Sequence, residues 1–90
     1  MMYKLTFSKN ALKDISLLRK SAPQVFDKLQ LLLLELMKNP RSGTGKVELL
    51  KYGLKGYYSR RITKEHRLVY SINDDLITVY IISVVGHYSE

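Results

Sequence analysis

A leucine-rich run between two prolines constrains the fold of this chain more than any other feature. Pro23 suits the first turn of a helix, and Asn39-Pro40 ends that helix because proline cannot continue it. Between the prolines, apolar residues recur at helical spacing: Val25, Phe26, Leu29, Leu32, Leu33, Leu36 and Met37. An apolar stripe of this kind normally faces the core of a small domain. We therefore predict an amphipathic, core-facing helix here, with a partner-binding leucine face as the alternative.

The residues before Pro23 predict a strand followed by a shorter helix. Tyr3–Phe7 alternates apolar and polar side chains, which is the period of a half-buried strand. Ser8 or Asn10 is a suitable N-cap for the helix that follows. The apolar positions of that helix recur at helical spacing, and they are Leu12, Ile15 and Leu18. We expect this helix to end at the sequence Ser-Ala-Pro that finishes with Pro23.

The second half of the chain has the periodicity of strands. We predict three strands joined by two polar turns: Tyr57–Ile62, His66–Ile72 and Leu76–Val85, with turns at Thr63–Glu65 and Asn73–Asp75. The last strand is apolar on both faces, so it should be central in the sheet. The predicted fold class is therefore α+β, with an N-terminal strand, two helices and an antiparallel three-strand meander. The helices should pack on one face of a twisted sheet.

Length and composition exclude several classes of protein. A chain of 90 residues makes one domain, residues 1–90. The absence of cysteine excludes a disulfide framework and a thiolate nucleophile, and two histidines with scattered carboxylates predict no metal site and no cofactor. The longest apolar run, Leu29–Met37, is far shorter than a membrane span, and residues 1–20 lack the order of a signal peptide. We therefore expect a cytoplasmic protein with no membrane partner.

Positive charge is concentrated in the middle third of the sequence. The formal net charge is +7, and residues 38–67 alone hold nine Lys or Arg against two Glu. The nine cations are Lys38, Arg41, Lys46, Lys51, Lys55, Arg60, Arg61, Lys64 and Arg67. Clustered positive charge indicates a polyanionic partner, either nucleic acid or an acidic protein, with an ordinary basic surface as the alternative.

The segment Pro40–Lys46 has the composition of a flexible, glycine-bearing loop. A phosphate-binding P-loop would need a glycine where Pro40 stands and a hydroxyl where Val47 stands. The sequence therefore has no P-loop at this position.

The turn at Thr63–Glu65 decides which side chains of two strands face each other. If all three residues form the turn, Ile62 lies opposite His66 and Arg61 lies opposite Arg67, whereas a two-residue turn would shift this register. Like charges directly opposite each other on antiparallel strands are destabilising. Two facing arginines therefore predict an anion between or above them, and planar guanidinium groups suit phosphate oxygens.

A chain without cysteine or a metal can still cleave RNA, because the ribose 2′-hydroxyl is itself a nucleophile. Such cleavage needs a base, an acid, and cations for the charge on the phosphate. Glu48 is a candidate base, with a salt-bridge role as the alternative, and His87 is a candidate acid or else a disordered terminal residue. We expect His66 to be structural. Three tyrosines are either base-stacking platforms or ordinary sheet residues: Tyr57, Tyr58 and Tyr88.

Four stretches of the sequence are more specific together than any single residue. They are Gly45–Lys51, Gly56–Ile62, Glu65–Tyr70 and His87-Tyr88. In combination they resemble the Txe/YoeB family of bacterial toxin–antitoxin ribonucleases, within the RelE/ParE superfamily. The resemblance spans nearly the whole chain and is densest between Gly45 and Tyr70. It implies a RelE-like fold and a toxin that cleaves messenger RNA in the ribosomal A site without a metal.

The same resemblance implies a catalytic role for three residues. Glu48 matches the general base of the family, His87 the general acid, and Arg67 the arginine that stabilises the transition state. The implied reaction uses the ribose 2′-hydroxyl as nucleophile and leaves a cyclic phosphate or 3′-phosphate and a 5′-hydroxyl.

Substrate-binding residues and partners are implied in the same way. Lys51 and Arg61 match residues that hold phosphate, and Tyr88 matches the terminal tyrosine of the family. The implied partners are messenger RNA on the ribosome and a Phd/YefM-type antitoxin, and the family suggests a homodimer. Two alternatives stay open: a non-catalytic inhibitor of the ParE type, which acts on a topoisomerase, and an RNA- or ribosome-binding module without activity.

Overall fold

A computed structural model describes residues 2–50 and 56–86, and its elements follow the predicted order. They are β1 (Lys4–Phe7), α1 (Lys9–Ser21), α2 (Pro23–Lys38), β2 (Glu48–Leu49), β3 (Tyr58–Arg61), β4 (His66–Asn73) and β5 (Thr78–Gly86). Two helices and one sheet confirm the α+β class. Neither of these helices is long and apolar enough to cross a membrane.

The strands form one mixed sheet in the order β1-β5-β4-β3-β2. β1 runs parallel to β5, whereas the other neighbouring strands are antiparallel. β5 therefore lies inside the sheet with a neighbouring strand on each edge, as its two apolar faces predicted. The middle strand of the five is β4. The three-residue turn is also confirmed, because Arg61 pairs with Arg67 and the Ile62 N–H donates to the His66 carbonyl at 2.8 Å.

Several strand boundaries differ from the predicted ones. β4 continues through Asn73, which the sequence places in a turn. β5 begins at Thr78 instead of Leu76, because Ile77 adopts a φ of +48° inside the turn and so leaves the extended conformation. β3 ends at Arg61, one residue earlier than predicted. The sequence analysis missed β2, because two residues are too few to show the alternation of a strand.

Ser8 joins α1 to the sheet. Its Oγ accepts the Ala11 N–H at 2.9 Å as the N-cap of the helix and donates to the Ile82 carbonyl at 2.6 Å. Ala11 and Leu18 are the buried positions of α1, while Leu12 of the predicted stripe is 56% exposed. The leucine stripe of α2 does face the core, as predicted, with three buried members: Leu29, Leu32 and Leu36.

Strand alternation gives the sheet two chemically different faces. The face under the helices carries the apolar core, which the strands supply with Leu68, Tyr70, Val79, Ile81 and Val84. The opposite face, called here the open face, carries Glu48 from β2, Arg61 from β3 and Arg67 from β4. The predicted catalytic and phosphate-binding side chains among the described residues therefore share the face that the helices do not cover.

Arg60 holds the chain between α2 and β2 against the sheet; this segment, residues 39–46, is called the clamped loop. The Arg60 side chain is 0% exposed, and its Nη1 donates to Glu35 Oε1 at 2.9 Å. Its Nη2 donates to the carbonyls of Asn39 at 3.0 Å and Ser42 at 2.8 Å. Glu35 also accepts the N–H of Thr44 at 2.7 Å and its hydroxyl at 2.8 Å.

Two sequence-based expectations are corrected by these contacts. The clamped loop is not a flexible connection, because hydrogen bonds from Arg60 and Glu35 fix it at several points. Arg60 does not belong to the basic surface predicted for residues 38–67, because strand alternation directs it under the helices, where Glu35 pairs with it.

Two glycines with similar φ angles offer a matched test of the clamped loop. Gly45 has a φ of +94°, and a Cβ there would collide with the Arg61 carbonyl and the Arg60 side chain. Gly56 has a φ of +88° with open space where a Cβ would lie. The left-handed backbone costs each alanine about 1–2 kcal/mol, and only Gly45→Ala must also shift β3, at roughly 1–3 kcal/mol more. We expect urea titrations to show a clearly larger loss of unfolding free energy for Gly45→Ala, and equal losses would contradict the packing.

The Glu35 carboxylate makes stability depend on acidity. Hydrogen bonds from Thr44, and then the charge of Arg60, hold the pKa of Glu35 below its ordinary value of 4.5. A carboxyl group whose pKa is lower in the folded state stabilises the protein above its unfolded-state pKa, and this stabilisation is lost as the pH falls through the folded-state pKa. Glu35→Gln should therefore be less stable than the wild type at pH 7, with a difference that shrinks below about pH 4.5. Urea unfolding between pH 3 and 7 measures this, and a difference independent of pH would contradict it.

Candidate active site

The candidate site lies where three antiparallel strands present charged side chains on the open face. Glu48 of β2 pairs in register with Ser59 of β3, and Arg61 of β3 pairs with Arg67 of β4. Because β3 lies between the other two strands, the side chains of Glu48 and Arg67 reach each other across it. The short β2 strand therefore brings a carboxylate to the two arginines.

Glu48 and Arg67 form an ion pair in this site. Arg67 Nη1 donates to Glu48 Oε1 at 3.2 Å, and the two side chains are 30% and 42% exposed for the arginine and the glutamate, respectively. The salt-bridge role that the sequence left open for Glu48 is therefore present. Partial exposure keeps the pair accessible to a ligand from solvent, and an ion pair so close to solvent contributes at most about 1 kcal/mol to stability.

Arg61 completes the cationic part of the site. It stands directly opposite Arg67, as the three-residue turn predicted, so two positive charges face each other across neighbouring strands. The Arg61 Nε atom is buried and has no hydrogen-bond partner in the described part of the chain. The backbone N–H of Arg61 donates to the Gly45 carbonyl at 2.5 Å, which connects this residue to the clamped loop. The facing arginines and the unsatisfied donor together suit an anionic ligand.

Two residues next to the site were missed by the sequence analysis. Ser59, opposite Glu48, is 1% exposed, and its Oγ lacks a hydrogen-bond partner within residues 2–50 and 56–86. Arg60 is buried between Ser59 and Arg61 and faces the helices. The alternation of β3 was the available signal for Arg60, because a residue that lies between two open-face residues must point under the helices.

The structure describes the contacts of one of the two histidines, His66, and of Tyr58. The Nδ1 atom of His66 lies 2.8 Å from Thr63 Oγ1, and this hydrogen bond within the turn agrees with the structural role expected for the residue. Tyr58 is a packed sheet residue, since its ring stacks on Tyr70 with centroids 5.8 Å apart and Arg41 lies 6.0 Å above it. These contacts favour the ordinary sheet role for Tyr58.

The basic cluster has less unpaired positive charge than the sequence indicated, and some predicted site residues lie outside the described part of the chain. Arg41, one of the nine clustered cations, pairs with the Asp74 carboxylate at 2.8 Å. Hydrogen bonds from Arg41 and then Tyr3 lower the pKa of Asp74 below its ordinary value. Three predicted site residues lie outside the described residues: Lys51, His87 and Tyr88. In the described ranges, no three histidine or acidic side chains gather as a metal site requires.

Known proteins that resemble this chain are bacterial toxins. The family described as YoeB-like toxin of bacterial type II toxin-antitoxin system matches residues 7–88. Toxin YoeB of Synechocystis sp. is 40% identical over 86 residues, which cover 94% of this chain and 96% of the relative. Among solved structures, the YoeB dimer from Staphylococcus aureus has a TM-score of 0.83 at 38% identity, and the match covers 98% of this chain and 100% of the other. The heterotetrameric YoeB-YefM toxin-antitoxin complex from Staphylococcus aureus gives a TM-score of 0.82 with the same identity and coverage.

Proposed function

This chain belongs to the YoeB-like toxins of bacterial type II toxin-antitoxin systems, and on that basis we propose that it is an endoribonuclease that cleaves messenger RNA in the ribosomal A site. The observation that carries the proposal is the ion pair between Glu48 and Arg67, 3.2 Å apart, with Arg61 directly opposite Arg67. A carboxylate beside two guanidinium groups on an accessible sheet face combines a proton acceptor with cations for a phosphodiester.

The proposed reaction is an attack by the ribose 2′-hydroxyl on the adjacent phosphorus. The Glu48 carboxylate accepts the proton of the 2′-hydroxyl as the new bond to phosphorus forms. Arg67 stabilises the negative charge that builds up on the phosphoryl oxygens, and His87 donates a proton to the 5′-oxygen that leaves. The products are a 2′,3′-cyclic phosphate, which hydrolyses to a 3′-phosphate, and a 5′-hydroxyl. No step requires a metal.

Three further residues are proposed to hold the substrate. Arg61 and Lys51 bind phosphate oxygens of the RNA backbone, and the unsatisfied Nε of Arg61 supports that role. Tyr88 is the proposed contact of the terminal segment with substrate. The ion pair of Arg67 with Glu48 opens in this scheme as the phosphate takes the place of the carboxylate beside the guanidinium.

The proposed partners are a Phd/YefM-type antitoxin and a second copy of the toxin. Solved relatives from Staphylococcus aureus include both a YoeB dimer and a YoeB-YefM complex. An acidic, disordered antitoxin segment that folds across the open face would neutralise the arginines of the site. We propose that the antitoxin silences the toxin in this way, in the cytoplasm.

Substitutions that remove single chemical groups test the proposed catalysis. We expect Glu48→Gln and His87→Gln each to lower the single-turnover cleavage rate on programmed ribosomes by roughly 10² to 10⁴-fold, since each removes one positioned proton-transfer group. Arg67→Ala should lower the rate by about 10² to 10³-fold, because the charge on the phosphoryl oxygens loses its counter-charge. Primer extension on the translated message measures the cuts and locates them within codons.

The control for these variants is His66→Gln, because the side-chain hydrogen bond of His66 among the described residues goes to Thr63 in the turn. It should cleave at nearly the wild-type rate. Wild-type cleavage by Glu48→Gln would refute the assignment of the base, and an absence of cuts with every variant and with the wild type would favour the non-catalytic module.

Growth experiments test the biological role. Expression of this chain alone should arrest bacterial growth, and co-expression of an acidic antitoxin encoded by a neighbouring gene should restore it, because the antitoxin covers the basic site. The matched control is Glu48→Gln, which should accumulate without arrest. Arrest that persists in Glu48→Gln, with intact messenger RNA, would instead indicate a ParE-type inhibitor.

A further inference from the structure

Arg60 is buried beside the candidate site but faces away from it. On β3 it lies between Ser59, which pairs with Glu48, and Arg61, which pairs with Arg67. Its side chain is fully buried under the helices. Arg60 therefore contacts neither the open face nor a substrate bound there, and any effect on the reaction must pass through other residues.

The burial of a guanidinium group is not explained by stability alone. Transfer of a charge out of water is unfavourable, and a well-packed apolar residue of similar volume is often as stabilising as a buried ion pair. Arg60 also leaves its Nε without a hydrogen-bond partner in the described part of the chain. An apolar side chain cannot hold the Glu35 carboxylate and the carbonyls of Asn39 and Ser42 together, whereas the fixed fork of a guanidinium does so through directed hydrogen bonds.

The groups that Arg60 fixes lead directly into the strand that carries Glu48. Asn39 and Ser42 belong to the clamped loop, and a Cβ on Gly43 would meet both Glu35 and Arg60, so the loop packs closely on this pair. The Gly45 carbonyl then accepts the Arg61 N–H, and only two residues separate Gly45 from Glu48. The contacts made by Arg60 therefore fix the chain only a few residues before Glu48, and so they help to set where Glu48 lies beside β3.

We infer that Arg60 and Glu35 are positioning residues, which act through the clamped loop to hold the Glu48 carboxylate beside Arg67. The inference rests on the proposed function, in which Glu48 is the base. A displacement of a reacting group by about 1 Å is enough to slow a reaction by about 10²-fold. Loss of the clamp should therefore lower the rate of the chemical step and leave substrate binding nearly unchanged.

The first test combines clamp variants with a variant of the base. Arg60→Met and Glu35→Gln are each made in the wild type and in Glu48→Gln. Single-turnover cleavage is then measured at a series of toxin concentrations, all in excess over programmed ribosomes. In the wild-type background we expect each clamp variant to have a saturating rate about 10 to 100-fold lower, with a half-saturating toxin concentration that changes by less than about threefold. In the Glu48→Gln background, the clamp variants should lower the rate by less than about a further twofold. The clamp acts through the Glu48 carboxylate, and that group is already absent there.

A purely structural defect gives a different pattern. It would lower the fraction of active toxin, which raises the half-saturating toxin concentration and leaves the rate at saturation unchanged. That result, or an equal loss of rate in both backgrounds, would overturn the inference. Glu35→Gln keeps Arg60 with its two carbonyl contacts, so it tests the clamp even if Arg60→Met does not fold. Arg19→Met is the matched control, since Arg19 lies 5.9 Å above the Phe26 ring on the helices, and it should cleave at the wild-type rate.

The second test does not depend on activity. Crystal structures of Glu35→Gln and Arg60→Met should show the Glu48 carboxylate displaced from the 3.2 Å contact with Arg67. An unchanged contact in both variants would overturn the inference. Wild-type cleavage by Glu48→Gln together with a displaced carboxylate would refute the proposed base while supporting the positioning role.

Discussion

The arrangement of α2, the clamped loop and β3 depends on the hydrogen bonds of one buried guanidinium group, that of Arg60. A charge removed from water must be compensated by hydrogen bonds, and here the compensation comes from Glu35 of α2 and from two carbonyls of the clamped loop. Because Arg60 itself belongs to β3, these contacts join a helix, a loop and a strand at one point. The Tyr70 ring, 6.0 Å from the guanidinium, adds an aromatic face of β4 to the same cluster. A domain of this size has a thin core, so one such cluster fixes a large part of the geometry.

On the open face of the sheet, the charged side chains are partly exposed to solvent instead of buried. Glu48 and Arg67 are partly exposed, so their ion pair contributes little to stability and remains available to a ligand. Arg61 adds a second guanidinium whose Nε is left unsatisfied by the described residues. Neighbouring arginines of β3 thus have separate roles that follow from the alternation of a strand: Arg60 is directed into the packed side and Arg61 toward the open face. This difference is the reason why the basic segment of the sequence is not one continuous surface.

Local patterns were sufficient for most of the architecture. Local signals predicted the leucine stripe of α2, the break at Pro23 and the turn that sets Arg61 opposite Arg67, and they limited the cap of α1 to Ser8 or Asn10. Each of these features depends on nearby residues and on the period of its element. The parallel pairing of β1 with β5 was not predicted, since it joins residues more than 70 positions apart and leaves no local signal. β2 was missed for a related reason: its two residues become a strand only because β3 supplies their partners.

The sequence by itself therefore determined the α+β class, the order of the elements, the register of the two arginines and the identity of Glu48, Arg61 and Arg67 as candidate site residues. These features follow from side-chain periodicity and residue chemistry, both of which can be read within a short window. Only the tertiary structure decided that Arg60 is buried by Glu35, that the clamped loop is fixed, and that Glu48 contacts Arg67 across β3. Glu35 and Arg60 lie 25 positions apart in the chain and Glu48 and Arg67 lie 19 apart, while the side-chain hydrogen bonds that fix the clamped loop span 9 to 21 positions. These contacts form only when the helices and strands pack together. The free-energy cost of burying a charge and the gain from pairing it arise in the folded protein, so a short stretch of sequence does not reveal them.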